Sequence, residues 1–304
     1  MKAPFPYFGG KRTIASTVWR AFGSPKHYIE PFCGSAAILL SAPSPASLEV
    51  IGDANGFIAN FWRAVVAQPE EVARFADYPV SHIDLGARHV WMMGQRDRLS
   101  ELLQDPNDPG DAKLAGWWLW GQCCWIGSGW CEWTGKVPHV GDAGMGIQAT
   151  GQVPHVGDAG MGIYDPITSS GRVAMKWLRE LSDRMERVRV VHGAWNRCLN
   201  SHYGGLNTAI FLDPPYKSFE RLYGTDSKLV AEECESWARD NANLKIALCG
   251  HIGDYELSGW SVHEWDRGRL TYNGGNTTDK ECIWFSPACN PLNKKQVEMF
   301  EVLP

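Results

Sequence analysis

The stretch "HYIEPFCGSAAILLS" (His27–Ser41) decides the fold of this 304-residue chain. Its beginning predicts a strand up to Phe32, its centre a glycine turn and its end the start of a helix. A second strand, "SLEVIGD" (Ser47–Asp53), ends in an acid, and an amphipathic helix is expected from about Asn55 to Ala67. Strand, glycine turn, helix, strand and acid are typical of the front half of a doubly wound α/β sheet.

The alternation of strands and helices returns after residue 187. The patterns predict strands at "RVRVVHG" (187–193), "TAIFL" (208–212), "LKIALCG" (244–250), "WSVHEW" (260–265) and "ECIWFS" (281–286), and a helix over 227–241. We therefore predict an α/β fold with a doubly wound, Rossmann-like sheet. Residues 1–66 and 188–304 together form this discontinuous domain.

Residues 67–187 interrupt the sheet. Helical patterns run through 82–104 and 111–125, and tryptophans crowd one short region, which favours a core over a stacking platform. The sequence "VPHVGDAGMGI" occurs at 137–147 and again at 153–163, a period of sixteen. Two copies are too few for a solenoid and indicate two loops or hairpins. The insertion is thus predicted to be mainly helical and loop-rich, with a function of its own.

Composition excludes some classes of protein. The net charge of −5 gives no general attraction to nucleic acid, so a DNA site would need a local basic segment such as 168–200, which is equally consistent with a solvated helix face. The nine cysteines lack paired spacing, which favours reduced structural thiols over a metal site. No leader and no apolar run of about 20 residues is found, so we expect a soluble, intracellular protein.

The stretch "FLDPPY" (Phe211–Tyr216) indicates the chemistry. Asp213 follows a buried strand, and Pro214 and Pro215 turn the chain stiffly out of the sheet. Tyr216 is then held beside the carboxylate. A rigid carboxylate, a free prolyl carbonyl and an aromatic face suit the binding of a flat ring that carries an amino group. An acidic loop rich in turn formers remains the plain alternative.

The first glycine turn limits the class of ligand that the protein could bind. "EPFCGSA" is not a G-x-G-x-x-G fingerprint and "GGKR" lacks the spacing of a P-loop, which disfavours nicotinamide-dependent and nucleotide-hydrolysing enzymes. Gly34 permits close approach to the backbone. Asp53, about twenty residues on, is placed to accept hydrogen bonds from two ribose hydroxyls. The ligand should carry a ribose and needs no phosphate.

Four motifs in this order resemble those of the Dam-type (class alpha) DNA adenine methyltransferases, which use S-adenosylmethionine. They are "PFPYFGGKR" (4–12), "YIEPFCGSAAIL" (28–39), "IGDANGFIANFW" (51–62) and "FLDPPY", and "KECIWFS" (280–286) accompanies them. The resemblance covers most of 1–66 and 188–286. It implies that the insertion, residues 67–187, is a target-recognition domain that binds double-stranded DNA.

The resemblance also implies roles for single residues. Asp213, Pro214, Pro215 and Tyr216 would hold the target base. The cofactor would contact Tyr7, Phe8, Gly9, Gly10, Lys11, Glu30, Pro31, Phe32, Gly34, Ser35, Asp53, Asn55, Trp195 and Asp213. DNA would contact Lys11, Arg12, His139, His155, Arg172, Lys176, Lys217 and Arg221. The alternative for the two histidines, which the sequence favours slightly, is that they donate to turn carbonyls. One departure is Ala194, which stands where an acid often precedes the aromatic residue.

The implied reaction is methylation of the exocyclic amino group of an adenine that the enzyme extrudes from the duplex. Tyr216 would stack on the base while Asp213 and the Pro214 carbonyl accept the two amino hydrogens, and no metal is required. The implied setting is cytoplasmic, in a bacterial cell or a phage-infected bacterium, as restriction-modification or phage DNA modification. Alternatives are a cytosine amino-methyltransferase, a catalytically degenerate DNA-binding module, and a methyltransferase of RNA or protein glutamine. Neither the recognition sequence nor the oligomeric state is predicted.

Overall fold

The computed structural model describes residues 1–5, 11–78, 81–125, 130–131, 171–199, 207–217, 225–265 and 281–292. Its seven described strands belong to a mixed sheet: β1 (His27–Glu30), β2 (Leu48–Asp53), β3 (Val188–His192), β4 (Thr208–Leu212), β5 (Lys245–His251), β6 (Ser261–Trp265) and β7 (Glu281–Phe285). The predicted α/β class is confirmed. β1 ends two residues before the predicted Phe32, since Pro31 has no N–H to donate to a neighbouring strand.

Nine α-helices lie in the described residues. They are α1 (Ala15–Phe22), α2 (Ala37–Leu40), α3 (Gly56–Ala67), α4 (Pro69–Ala76), α5 (His82–Met93), α6 (Arg96–Leu102), α7 (Ala112–Cys124), α8 (Gly171–Met185) and α9 (Thr225–Asp240). The helical pattern predicted over 82–104 is divided into α5 and α6, with Gly94 between them. None of the helices in the described part of the chain is both long and apolar enough to span a membrane.

The chain divides into two compact units. The first comprises residues 1–2, 11–52 and 194–304, and the second comprises residues 3–10 and 53–193. The predicted insertion over 67–187 lies within the second unit, which also takes in α3 and β3.

Strand pairing in the first unit determines where polar side chains gather. Its six strands lie in the order β2-β1-β4-β5-β7-β6. β1 pairs in parallel with β2 and β4, and β4 with β5, so that their carboxyl ends meet at one edge. β7 runs antiparallel to β5, with His251 opposite Glu281. The first residue of β7 therefore lies at the same edge as the last residue of β5.

The second unit is built on packed helices. Asp111 caps α7 by accepting a hydrogen bond from the Leu114 N–H at 2.8 Å, and the buried Asn60 of α3 exchanges two hydrogen bonds with the Asp111 backbone. Trp118 and Trp120 of α7 are 1% and 0% exposed. The expectation that the tryptophans form core is confirmed for these two.

The nine cysteines are free thiols, and eight of them are buried. This agrees with the predicted reduced, structural cysteines.

We expect Gly116→Ala to destabilise the protein although alanine is the better helix former. A Cβ at Gly116 in α7 would lie 2.5 Å from the Phe75 Cβ and 2.6 Å from the Val72 oxygen of α4, so the two helices would have to separate. The expected loss is about 1–3 kcal/mol of the free energy of unfolding. The measurement is thermal and denaturant unfolding.

Gly86→Ala in α5 is the matched control, because a Cβ there would meet nothing within 4 Å. It should leave stability unchanged or raise it by up to about 1 kcal/mol. Equal behaviour of the two variants would contradict the close approach of α4 and α7.

Candidate active site

Asp213 follows β4 at the carboxyl edge of the sheet. All five residues of β4 are buried, whereas the Asp213 side chain is 20% exposed. Pro214 is buried, and Tyr216 is 7% exposed. The sequence predicted this arrangement because a buried apolar strand has to end where an acid and two prolines follow it.

Lys11 brings Asp213 and Tyr216 together. Its Nζ lies 2.9 Å from the Asp213 Oδ2 and 5.3 Å from the centre of the Tyr216 ring. Lys11 is only 4% exposed, so most of this ion pair is shielded from water. An ammonium over an aromatic ring and against a carboxylate is favourable on both counts. The structure thus places a residue predicted to contact cofactor and DNA in the interior, on the predicted catalytic carboxylate.

Glu281 is the second carboxylate near Lys11. Its Oε2 lies 3.9 Å from the Lys11 Nζ, and the residue is 6% exposed. The pairing of β7 with β5 brings it to this edge, opposite His251. No role was predicted for Glu281 from the sequence, although an acid at the start of the apolar strand "ECIWF" is the kind of buried charge that needs a partner.

His251 supports Tyr216 from the end of β5. The two rings meet edge to face with centroids 4.7 Å apart. The backbone N–H of His251 donates to the Asp254 Oδ2 at 2.8 Å. No role was predicted for His251 either. Nearby Cys249 is fully buried, and burial raises the pKa of its thiol, with the charge of Asp213 acting in the same direction. Cys249 is therefore a neutral structural thiol.

The predicted glycine turn follows β1. The Cys33 N–H donates to the Gly52 oxygen at 2.8 Å, and the Ala36 N–H donates to the Cys33 oxygen at 2.6 Å. Gly34 and Ala36 have φ values of 45° and 51°. Glycine adopts this left-handed backbone freely, whereas alanine does so at a cost, so the turn is tightly constrained by its surroundings. Ser35 is buried in it.

Glu30 holds the base of this turn. Its Oε2 accepts hydrogen bonds from the Tyr28 hydroxyl at 2.9 Å and from the Leu39 N–H of α2 at 3.2 Å. Burial, and then the charge of Glu30, raise the pKa of Tyr28 well above its ordinary value, so the phenol keeps its proton and donates. The carboxylate predicted to contact the cofactor thus also connects β1 to α2.

Phe32 and Trp195 form a parallel pair of rings. Their centroids are 6.3 Å apart at an interplanar angle of 20°, and Phe32 is half-buried. The Trp195 Nε1–H donates to the Glu233 Oε2 of α9 at 3.3 Å. Near Ala194, the position at which the resemblance implies an acid, Glu233 therefore brings a carboxylate to the indole.

Asp53 and Asn55 belong to the second unit. The Asp53 Oδ1 accepts the Asn55 N–H at 2.9 Å, and the Asn55 Oδ1 caps α3 by accepting the Phe57 N–H at 2.9 Å. Asp53 ends β2 and is partly exposed. These contacts fix the backbone around the carboxylate that was predicted to hold a ribose.

The predicted DNA-binding residues have different surroundings. Arg12 is exposed. The Lys176 side chain is 80% exposed, with its Nζ 3.8 Å from the Glu180 Oε1, whereas the Lys217 Nζ lies 2.7 Å from the Glu235 Oε2. Outside the described residues lie Tyr7, Phe8, Gly9, Gly10, His139, His155, Arg221, the two repeats and the side chain of Arg172. Within the described part, no group of three or more His, Cys, Asp or Glu could hold a metal ion.

We expect Tyr28→Phe to lower the free energy of unfolding by about 1–3 kcal/mol, because the buried Glu30 would lose a hydrogen-bond donor. Tyr255→Phe is the matched control: the buried Tyr255 hydroxyl has no hydrogen-bond partner among the described residues. Its removal should be neutral or stabilising. Denaturant unfolding measures both, and a larger loss from Tyr255→Phe would contradict the assigned role of Tyr28.

Comparison with known proteins bears on the first part of this site. Residues 7–81 match the family model of the D12 class N6 adenine-specific DNA methyltransferases. The match covers β1, the glycine turn and Asp53, and ends before Asp213. No curated protein matches the chain. Over these residues the chain is similar to that family, and the similarity supports the predicted Dam-type, adenine-specific DNA methyltransferase.

Proposed function

We propose that the chain transfers a methyl group from S-adenosylmethionine to the N6 amino group of an adenine that it extrudes from double-stranded DNA. The family match over residues 7–81 supports DNA adenine methylation. The observation that supports the finer proposal is the partly exposed Asp213 carboxylate at the carboxyl edge of the sheet, where it holds a nitrogen cation at 2.9 Å. A carboxylate that binds one N–H donor there can bind a different N–H donor in its place.

The proposed roles of the four-residue motif follow from hydrogen-bond chemistry. Asp213 and the Pro214 carbonyl accept the two N6 hydrogens, which directs the nitrogen lone pair away from the ring and toward the methyl group. Tyr216 stacks on the base. Extrusion of the base costs a few kcal/mol. Alignment of the two reacting atoms lowers the barrier by about 7–11 kcal/mol in favourable cases, so a strong base is unnecessary.

The described residues fit a cofactor with a ribose, an adenine and no phosphate. The constrained turn around Gly34 offers backbone for close approach, and the half-buried Phe32 beside Trp195 offers aromatic surface. When bound, S-adenosylmethionine supplies an electrophilic methyl group on a sulfonium. The residues proposed to hold it are Tyr7, Phe8, Gly9, Gly10, Lys11, Glu30, Pro31, Phe32, Gly34, Ser35, Asp53, Asn55, Trp195 and Asp213.

We assign Asp53 to the ribose because it ends a parallel strand with its carboxylate partly exposed. Such strand ends are where α/β sheets bind ribose hydroxyls. For Asn55, whose side-chain oxygen caps α3, the backbone is the group left for a cofactor contact.

DNA contacts are proposed for Lys11, Arg12, Arg172, Lys176, Lys217, Arg221, His139 and His155. Target recognition is proposed for residues 67–187, and the catalytic domain for residues 1–66 and 188–304. The exposed Arg12 and Lys176 support the assignment most directly, because exposed cations are what phosphates require. The Lys217 ammonium is already paired with Glu235. A phosphate would have to displace that carboxylate to bind it.

The experiment incubates the protein with tritiated S-adenosylmethionine and unmethylated DNA, followed by nucleoside analysis. The proposal predicts label in N6-methyladenine. Label in N4-methylcytosine alone would reject the target base. If no label appears although calorimetry shows cofactor binding, the protein does not transfer the methyl group to DNA. If the protein also fails to bind the cofactor, the degenerate DNA-binding module is the better description.

Asp213→Ala should lower methyl transfer by about 10²-fold or more, by analogy with the loss of one hydrogen-bonding group that stabilises a transition state. Affinity for S-adenosylhomocysteine should change little, since the turn around Gly34 and Asp53 supply most of it. Asp240→Ala, at the exposed end of α9, is the control. A parallel loss of cofactor affinity and transfer would instead show that Asp213 acts mainly on the cofactor and not on the target base.

Deletion of residues 148–163 removes one copy of the sixteen-residue repeat. If the repeat contacts DNA, the deletion should change the methylated sequence or weaken DNA affinity while cofactor binding stays the same. Single-molecule sequencing of treated DNA and a DNA titration measure these effects. An unchanged methylation map with unchanged DNA affinity would make the repeat purely structural.

A further inference from the structure

The Lys11 ammonium lies where the proposed function puts the target amino group. Both are N–H donors, and both require the Asp213 carboxylate as acceptor and the face of Tyr216 as neighbour. Lys11 meets both requirements, at 2.9 Å from the Asp213 Oδ2 and 5.3 Å from the ring centre. An arriving adenine therefore has to displace this ammonium.

Displacement from Asp213 alone would be unfavourable. Lys11 is 4% exposed, and an ammonium out of water is strongly destabilised without a carboxylate. Because an amino group is neutral, its hydrogen bonds to Asp213 would not compensate for the loss of an ion pair. Lys11 therefore needs a second carboxylate within a short distance.

Glu281 meets this need. It is equally buried, at 6% exposed, and its Oε2 lies 3.9 Å from the Lys11 Nζ. A charge-assisted N–H···O bond is about 2.7–2.9 Å long, so a displacement of about 1 Å completes it. The backbone of Glu281 is held in β7 by pairing with both β5 and β6, so the position from which its side chain extends is fixed.

We propose that Glu281 is a positioning residue that receives the Lys11 ammonium from Asp213 when the target adenine binds. This rests on the proposed function and adds a residue to it. Before the base binds, Lys11 neutralises Asp213. After it binds, Lys11 stays paired with Glu281, and both oxygens of Asp213 become available to the amino group. The exchange moves one ammonium between two carboxylates and transfers no proton.

The test compares Glu281→Gln and Glu281→Asp with the wild type, at saturating DNA and S-adenosylmethionine. Glutamine keeps the size of the side chain but not its charge, so Lys11 would stay on Asp213 and methyl transfer should fall about tenfold or more. Aspartate keeps the charge on a shorter side chain and should retain an intermediate rate. Glu264→Gln, on the exposed face of the neighbouring strand β6, is the control and should leave the rate unchanged.

A second comparison separates this role from a structural one. In a Lys11→Met background no ammonium has to be moved, so Glu281→Gln should then change the rate less than about twofold. An equal loss in both backgrounds would overturn the inference, as would a Glu281→Gln enzyme as active as the wild type. If Glu281→Gln fails to fold, the Glu281→Asp variant decides. A Glu281→Asp enzyme that transfers methyl groups more slowly than the Lys11→Met enzyme would show that the charge of residue 281 does not serve Lys11.

Calorimetry with S-adenosylhomocysteine and thermal unfolding accompany the rates. The inference predicts that Glu281→Gln binds this ligand like the wild type, and a loss of affinity equal to the loss of rate would overturn it. A wild-type protein that transfers no methyl group would overturn the proposed function, and this inference with it. An active wild type with additive Lys11 and Glu281 effects would overturn the inference alone.

Discussion

The pairing of β5 with a parallel neighbour on one side and an antiparallel neighbour on the other is the constraint on which the site depends. Parallel pairing with β4 brings Asp213 and His251 to the same edge, because both strands end there. Antiparallel pairing with β7 brings the beginning of that strand, Glu281, to His251. Residues 68 positions apart in the chain thus meet at one edge, where the Lys11 ammonium joins both carboxylates.

Two carboxylates and one ammonium at this edge have little access to water. Such a group is a weak source of stability, since the cost of removing charges from water offsets much of their attraction. A group of two carboxylates that share one ammonium is better suited to a site in which one carboxylate has to release the ammonium to the other. The sequence places both carboxylates next to rigid elements: two prolines follow Asp213, and Glu281 begins a paired strand. The exchange therefore involves the flexible Lys11 side chain more than the backbone.

Local sequence pattern was sufficient to predict the strands and the position of Asp213 in the candidate site. Short apolar runs between turn formers predicted β4 and β5, and the acid and prolines after "TAIFL" predicted Asp213 at a strand end, because these properties are encoded within a few residues. Glu281 and His251 were missed because their position depends on the register of β5 with β7, which no local pattern contains. Lys11 was recognised by its motif, but its contact with Asp213 joins residues 202 positions apart in the chain, which no local pattern contains.

The most direct test is a crystal structure of the protein with S-adenosylhomocysteine and DNA that contains its target adenine. We expect an extruded adenine whose N6 lies within hydrogen-bonding distance of an Asp213 oxygen and the Pro214 carbonyl and whose ring stacks on Tyr216. The Lys11 Nζ should then be closer to Glu281 than to Asp213. An adenine bound elsewhere, with the Lys11 ammonium still on Asp213 and over the Tyr216 ring, would contradict both the proposed function and the role of Glu281.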